Sequence, residues 1–246
     1  MYKIVKARRL ADKIFLMDVH APRVASHCQP GQFVIVKTDE KGERIPLTVC
    51  DYDREQGSVT IVFQTVGAST TEMAKYEVGE SFMDFVGPLG CASELIKMPL
   101  DELKKEKILF VCGGVGTAPV YPQVKWMHEH GVDVDVIVGA KTKDMLILED
   151  EMKAVAGNYY PCTDDGSYGH AGMVTTMIEE LVGEGKKYDV CVAIGPMIMM
   201  KFVCLLTKKL EIPTIVSMNP IMVDGTGMCG ACRLQVGDEI KFACVD

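Results

Sequence analysis

Positive charge is scarce in this chain. Its 26 lysines and arginines are outnumbered by 34 aspartates and glutamates, leaving a formal net charge of -8 and a pI near 5.2. A field of that sign repels polyphosphate chains and acidic headgroups, so neither nucleic acid nor a membrane surface is expected as a partner. Long apolar runs are also missing. The most apolar stretch, Cys191 to Leu206, is broken by Gly195-Pro196 and Lys201 and falls short of the roughly 20 residues that span a bilayer. It reads as a buried strand followed by a helix. The opening MYKIVKARRLADKIFLMDVHAP has charges every few residues and no secretory pattern, which points to a cytoplasmic protein. Internal repeats and low-complexity tracts are absent.

With 246 residues, 48% of them hydrophobic, two modest cores are more natural than one large one. Residues 1–100 carry short β-rich runs bounded by turn signals, QFVIVKT after Pro30-Gly31 and SVTIVFQTV after Gly57. Strands at that spacing suggest a small antiparallel barrel. Over residues 101–218 the rhythm becomes strand, glycine turn, helix. KILFVCGG leads to a helical stretch around Val120 to His130, VDVDVIVGA is a further strand, and YDVCVAIGP followed by MIMMKFVCLLTKKL repeats the unit. That is the pattern of a parallel α/β sheet. Residues 219–246 lose both periods and become rich in glycine and cysteine, as a metal-binding segment would. The fold class expected is therefore α/β with a β-barrel.

Ten cysteines are present. Cys28, Cys50, Cys91, Cys112, Cys162, Cys191 and Cys204 are scattered, mostly within apolar runs, where cysteine acts as a small hydrophobe. The remaining three cluster in Asp224-Gly-Thr-Gly-Met-Cys229-Gly-Ala-Cys232, with Cys244 after eleven intervening residues. Plant-type [2Fe-2S] sites use C-x4-C-x2-C and a distant fourth cysteine, and here Asp224 holds the first position. A zinc ion held by one aspartate and three thiolates is the alternative. Zinc accounts for the cysteines but not for their ferredoxin-like spacing.

Other motifs suit nucleotide cofactors. Gly113-Gly114-Val115-Gly116-Thr117-Ala118-Pro119 follows an apolar strand and opens a helix, where glycines admit phosphate oxygens and free N–H groups meet them. The motif is GxGxxP, not the usual GxGxxG. Thr163-Asp164-Asp165-Gly166-Ser167 follows NYYPC. It is either a surface turn or, after a sheet strand, a pair of carboxylates that accept ribose hydroxyls and repel a 2′-phosphate. In the first hundred residues, Arg44 is a candidate diphosphate partner, and Ser69 to Thr71 a candidate phosphate seat. The alternatives are a solvated arginine and an ordinary helix cap.

Taken in order, these motifs resemble the ferredoxin reductase superfamily: FAD barrel, pyridine-nucleotide domain, C-terminal [2Fe-2S] segment. Within it, GERIPLTVCDYD, TDDGSYGHAGMVT, AIGPMIMM and MVDGTGMCGACR resemble the small-subunit family of NADH-dependent reduced ferredoxin:NADP oxidoreductase, also described as sulfide dehydrogenase. The electron-transfer subunits of NAD-dependent dihydroorotate dehydrogenase are the near alternative, with cysteine expected at all four ligand positions. The resemblance implies flavin contacts at Arg44, Pro46, Leu47, Thr48, Phe63, Gln64, Thr65, Gly67 and Thr70. It implies NAD(H) contacts at Gly114, Gly116, Thr117, Asp164, Asp165, Gly195 and Pro196, and cluster ligands at Asp224, Cys229, Cys232 and Cys244. Two departures stand out: Ile45 occupies the arginine position of the R-x-[YF]-[ST] flavin signature, and Ile194 stands where many relatives have cysteine.

The resemblance also implies a larger partner subunit with another FAD, [4Fe-4S] clusters and an NADP site, in a heterodimer that reacts with ferredoxin. No general acid or base is assigned, because the cofactors carry the chemistry and the protein positions them. From the two carboxylates at 164 and 165 we predict a much higher kcat/KM for flavin reduction by NADH than by NADPH. Steady-state comparison of the two nucleotides checks this, and equal use of both would remove the argument.

Overall fold

A computed structural model describes residues 1–246. The chain divides into two compact units, Met1–Ser93 together with Met218–Asp246, and Glu94–Ser217.

The first unit is built on seven strands: β1 (Tyr2–Ala11), β2 (Ile14–His20), β3 (Phe33–Lys37), β4 (Ile45–Asp53), β5 (Ser58–Gln64), β6 (Ser81–Phe82) and β7 (Asp84–Leu89). They pair antiparallel in the order β6-β1-β2-β5-β4-β3-β7, the barrel that the punctuated β-rich runs predict. Its interior is filled by alternate residues, among them Val34, Val36, Val59, Ile61 and Phe63. A strand turns successive side chains to opposite faces, so Val34 and Val36 facing inward put Phe33 and Ile35 outside. Those two are also buried, in a second apolar cluster with Cys232 and Cys244. The uninterrupted apolar run FVIV therefore reflects burial of both faces. The cysteine-rich segment packs on the barrel and contains a hairpin that its glycine content had masked, β14 (Arg233–Val236) and β15 (Glu239–Phe242). Gly237, at φ +59°, supplies the left-handed turn residue between them.

The second unit holds β8 (Ile108–Gly113), β9 (Val134–Ala140), β10 (Asn158–Thr163), β11 (His170–Ala171), β12 (Val190–Ile194) and β13 (Thr214–Val216). All pair parallel, in the order β11-β10-β9-β8-β12-β13. β8 is buried throughout, as a strand covered on both faces must be. The helix expected from about Val120 begins earlier and spans Thr117–Glu129. Pro119 sits in its first turn, where the backbone N–H has no intrahelical acceptor to lose. No helix is long and apolar enough to cross a membrane.

One polar network anchors the amino ends of these strands. Asp135 Oδ2 accepts from Lys186 Nζ at 2.6 Å and Tyr188 OH at 2.7 Å, and Oδ1 accepts from Asn158 Nδ2 at 2.7 Å. Burial works against the Lys186 charge, but Asp135 and the Tyr160 hydroxyl outweigh it and hold the ammonium above its ordinary pKa. Asp135→Ala should cost this unit about 2 kcal/mol, because it strands a part-buried ammonium and a phenol hydroxyl. A raised lysine pKa stabilises fully below the unfolded value of about 10.4 and is lost as pH climbs through the native one. The gap between wild type and variant in denaturant titrations should thus be full at pH 7 and close only in strong alkali. No gap at neutral pH would show the network to be neutral for stability.

Candidate functional site

Two segments of the barrel unit meet at the residues assigned to flavin. Arg44 lies at the entry to β4, with its guanidinium 3.4 Å from Asp84 Oδ2. Ser69 Oγ donates to Glu43 Oε2 at 2.8 Å, tying the start of the Ala68–Met73 helix to the loop before β4. The Thr70 hydroxyl accepts from the Val66 and Gly67 amides at 3.0 and 3.2 Å. Sequence reasoning missed Glu43 and Asp84, although Glu43 directly precedes Arg44. Pro46 and Thr48 pair across from Ile35 and Phe33, and directly opposed side chains of an antiparallel pair share a face. Leu47 packs on the barrel core. Phe63 is also core, its ring 5.9 Å from that of Phe15, so any cofactor contact it makes is through its backbone. Gln64 ends β5, and the Thr65 amide is bonded to the Lys13 carbonyl.

The residues assigned to the nicotinamide nucleotide gather at the carboxyl edge of the parallel sheet. β8 is the switch point: β9 lies on one side and β12 on the other, which opens a crevice of the kind that holds dinucleotides. Gly114, at φ +55°, has open space where a side chain would stand. Thr117 is buried and its hydroxyl donates to the Gly114 carbonyl at 2.9 Å, fixing the turn. At Gly116 a side chain would run into the Ile194 carbonyl and the Gly195 Cα. This glycine therefore allows the turn after β8 to close on the Gly195-Pro196 turn after β12. Asp164 and Asp165 follow β10 on the same edge, their amides bonded to the Ala140 and Lys141 carbonyls at 3.0 and 3.3 Å. Hydrogen bonds from Ser167 hold the exposed Asp165 carboxyl below the usual carboxylate range.

The four assigned cluster ligands fall into two pairs. Cys232 and Cys244 are buried with their sulfurs 3.2 Å apart. Two thiolates on one tetrahedral metal, at about 2.3 Å each, stand roughly 3.8 Å apart, so this pair needs little adjustment. Burial, then the neighbouring Cys232, pushes the Cys244 thiol up to about 11. Asp224 and Cys229 are linked through the backbone: Asp224 Oδ1 accepts from the Thr226 amide and Oδ2 from the Cys229 amide, both at 2.7 Å. These amides hold the Asp224 carboxyl below its usual range. No three His, Cys, Asp or Glu side chains converge as a ligand set for one ion.

Of the scattered cysteines, Cys28, Cys50, Cys112, Cys162 and Cys191 are buried, and burial pushes the thiols of Cys112, Cys162 and Cys191 up to about 12. Cys91 departs from the reading as a small hydrophobe. It is exposed, and its thiol donates to the Val245 carbonyl at 3.3 Å.

Comparison with known proteins fits this geometry. Residues 219–246 match the iron-sulfur cluster binding domain of dihydroorotate dehydrogenase B, and residues 110–205 match an oxidoreductase NAD-binding domain. A Thermotoga maritima protein described as a dihydroorotate dehydrogenase B (NAD(+)) electron transfer subunit homolog is 46% identical, over 99% of this chain and 83% of its own length. The chain belongs to the dihydroorotate dehydrogenase B electron-transfer subunit family. An uncharacterized Clostridium beijerinckii protein from the adh 3′ region is a further relative, 62% identical over 100% of this chain and 83% of its own. Among solved structures, the NADH-dependent reduced ferredoxin-NADP oxidoreductase, studied for flavin-based electron bifurcation, superposes with a TM-score of 0.92 at 44% identity. That match covers 100% of this chain and 86% of that one. As a member of this family the chain is an NAD-dependent oxidoreductase subunit that transfers electrons.

Gly116→Ala tests the closed double turn. Its methyl must push apart backbone that cannot yield elsewhere, so kcat/KM for NADH should fall about tenfold or more while flavin and iron content stay at wild-type levels. An unchanged kcat/KM would mean that the Gly116 contact does not shape the nucleotide seat.

Proposed function

We propose that this chain accepts hydride from NADH and passes single electrons to a larger partner subunit, in ferredoxin:NADP transhydrogenation of the electron-bifurcating kind. The partner, in this reading, holds a further FAD, [4Fe-4S] clusters and the NADP site, and the heterodimer works in the cytoplasm with ferredoxin as a further reactant. When bound, FAD converts a two-electron hydride into one-electron steps and the [2Fe-2S] cluster carries those electrons singly.

The protein's part is to bind and orient. Gly114, Gly116 and Thr117, with Gly195 and Pro196, form the dinucleotide seat, and Asp164 and Asp165 take the ribose end. Arg44 faces the flavin diphosphate, while Pro46, Leu47 and Thr48, the Phe63–Thr65 strand end, Gly67 and Thr70 shape the rest of the flavin seat. Cys232 and Cys244 would hold the cluster from one side, and Asp224 and Cys229 from the other. Donors divided two and two suit a two-iron cluster, whereas one zinc needs all four around a single point.

The observation that carries the choice between the two relatives is Asp224. A carboxylate stands at the first ligand position, already fastened to the Cys229 amide at 2.7 Å. The dihydroorotate reading is favoured by the description of the Thermotoga relative, and the two part at this residue.

The purified chain should contain FAD and about two irons. Asp224→Cys should keep the cluster but shift its reduction potential and electron paramagnetic resonance spectrum, since a soft thiolate replaces a hard oxygen. Asp224→Ala should lose much of its iron while retaining FAD and NADH-driven flavin reduction. Normal iron, potential and spectrum in Asp224→Ala would remove Asp224 from the ligand set and favour the dihydroorotate reading.

A further inference from the structure

The two seats proposed in the barrel unit share one strand. β3 turns Val34 and Val36 into the barrel core and presents Phe33 and Ile35 to the cysteine-rich segment. Those two are 8% and 0% exposed, and they cluster with Cys232 and Cys244, at 2% and 1%. The contact is close. A side chain at Gly225, next to Asp224, would stand 2.8 Å from Ile35 Cδ1 and 3.3 Å from the Phe33 ring. One at Gly90 would stand 2.9 Å from the same ring. Along one edge β3 pairs with β4, Phe33 opposite Thr48 and Ile35 opposite Pro46. Neighbouring strands lie about 4.8 Å apart, and opposed residues share a face. The outer face of this sheet thus carries flavin-seat residues on β4 and, one strand over, the wall of the cluster pocket on β3.

We propose that Phe33 and Ile35 are positioning residues for electron transfer between flavin and cluster. They set the spacing of the two seats and keep water from the Cys232–Cys244 side, which is the side where electrons enter the cluster. This rests on the flavin and cluster assignments made above. Each crossing removes one electron from the flavin and adds one to the cluster, and the two electrons delivered with a hydride from NADH leave in two such crossings. A dry wall disfavours the more negatively charged reduced cluster, so it holds the reduction potential down.

Ile35→Val and Ile35→Thr make the discriminating pair, because the two side chains have nearly the same size and shape but differ by one hydroxyl. The full chain with its cofactors should be titrated under electron paramagnetic resonance, with cluster reduction by NADH followed in stopped flow. Ile35→Thr should raise the potential and alter the spectrum, whereas Ile35→Val should match wild type. Phe33→Ala should raise the potential and change the rate of cluster reduction, with flavin reduction by NADH as fast as in wild type.

If Ile35→Thr loses its iron while Ile35→Val keeps it, the pocket is intolerant of polarity at this wall and the proposal stands. Equal shifts in both Ile35 variants, loss of iron from both, or a wild-type potential in Ile35→Thr would reduce β3 to a fold support and overturn it. A wild-type chain without flavin or without iron is a different result, and it would overturn the cofactor assignments themselves.

Discussion

Water is excluded from both faces of β3, and much of the first unit follows from that constraint. Five residues, Phe33–Lys37, supply the barrel with Val34 and Val36 and the cysteine-rich segment with Phe33 and Ile35. Each fully buried side chain of this size contributes about 1.5–3 kcal/mol relative to an exposed one. The strand therefore gains on both faces only if the segment from Met218 onward lies against it. A glycine-rich loop has little core of its own, and here it borrows one wall from the barrel. Gly225 and Gly90 have no side chains because Phe33, Ile35 and Leu89 occupy that space.

Close backbone approach plays the corresponding part in the second unit. β8 and β12 are neighbours in register, Cys112 beside Ile194, and the turns that follow them converge. Gly116 can lie on the Ile194 carbonyl because it has no Cβ. The result is an edge lined by backbone atoms and small residues, where phosphate oxygens can come near N–H groups without a side chain between them. A buried threonine at 117, bonded back to the Gly114 carbonyl, keeps the turn from opening.

Elements whose signal is local were legible in the sequence. The runs ILFVCG, VDVIVGA and VCVAI are strands because β-branched and apolar residues recur before a glycine, and the placement of Gly114 and Gly116 between a strand and a helix was readable in the same way. The spacing of Cys229, Cys232 and Cys244 marked the cluster segment. What stayed hidden depends on partners far away in the chain. Asp84 meets Arg44 across forty residues and Cys91 meets Val245 across 154. The burial of Phe33 and Ile35 against Cys232 and Cys244, far along the chain, left only an unbroken apolar run as its trace, and a strand buried on both faces by its own sheet partners gives the same run.

Asp224 shows how a local rule and a distant one can act on the same side chain. Asp at the head of a glycine-rich turn commonly accepts amides a few residues on, and here its two oxygens take the Thr226 and Cys229 amides. A carboxylate oxygen has more than one lone-pair direction, so each can keep its amide bond and still face a metal. Cysteine at the same position offers a sulfur, a weak acceptor, and would leave those amides more poorly matched. The carboxylate thus orders the 224–229 loop by hydrogen bonding, whereas Cys232 and Cys244 are ordered by apolar burial against β3. The two halves of the proposed ligand set are held by different forces: Asp224 and Cys229 are joined by a charge-assisted bond from amide to carboxylate, and Cys232 and Cys244 are dry and fixed by packing.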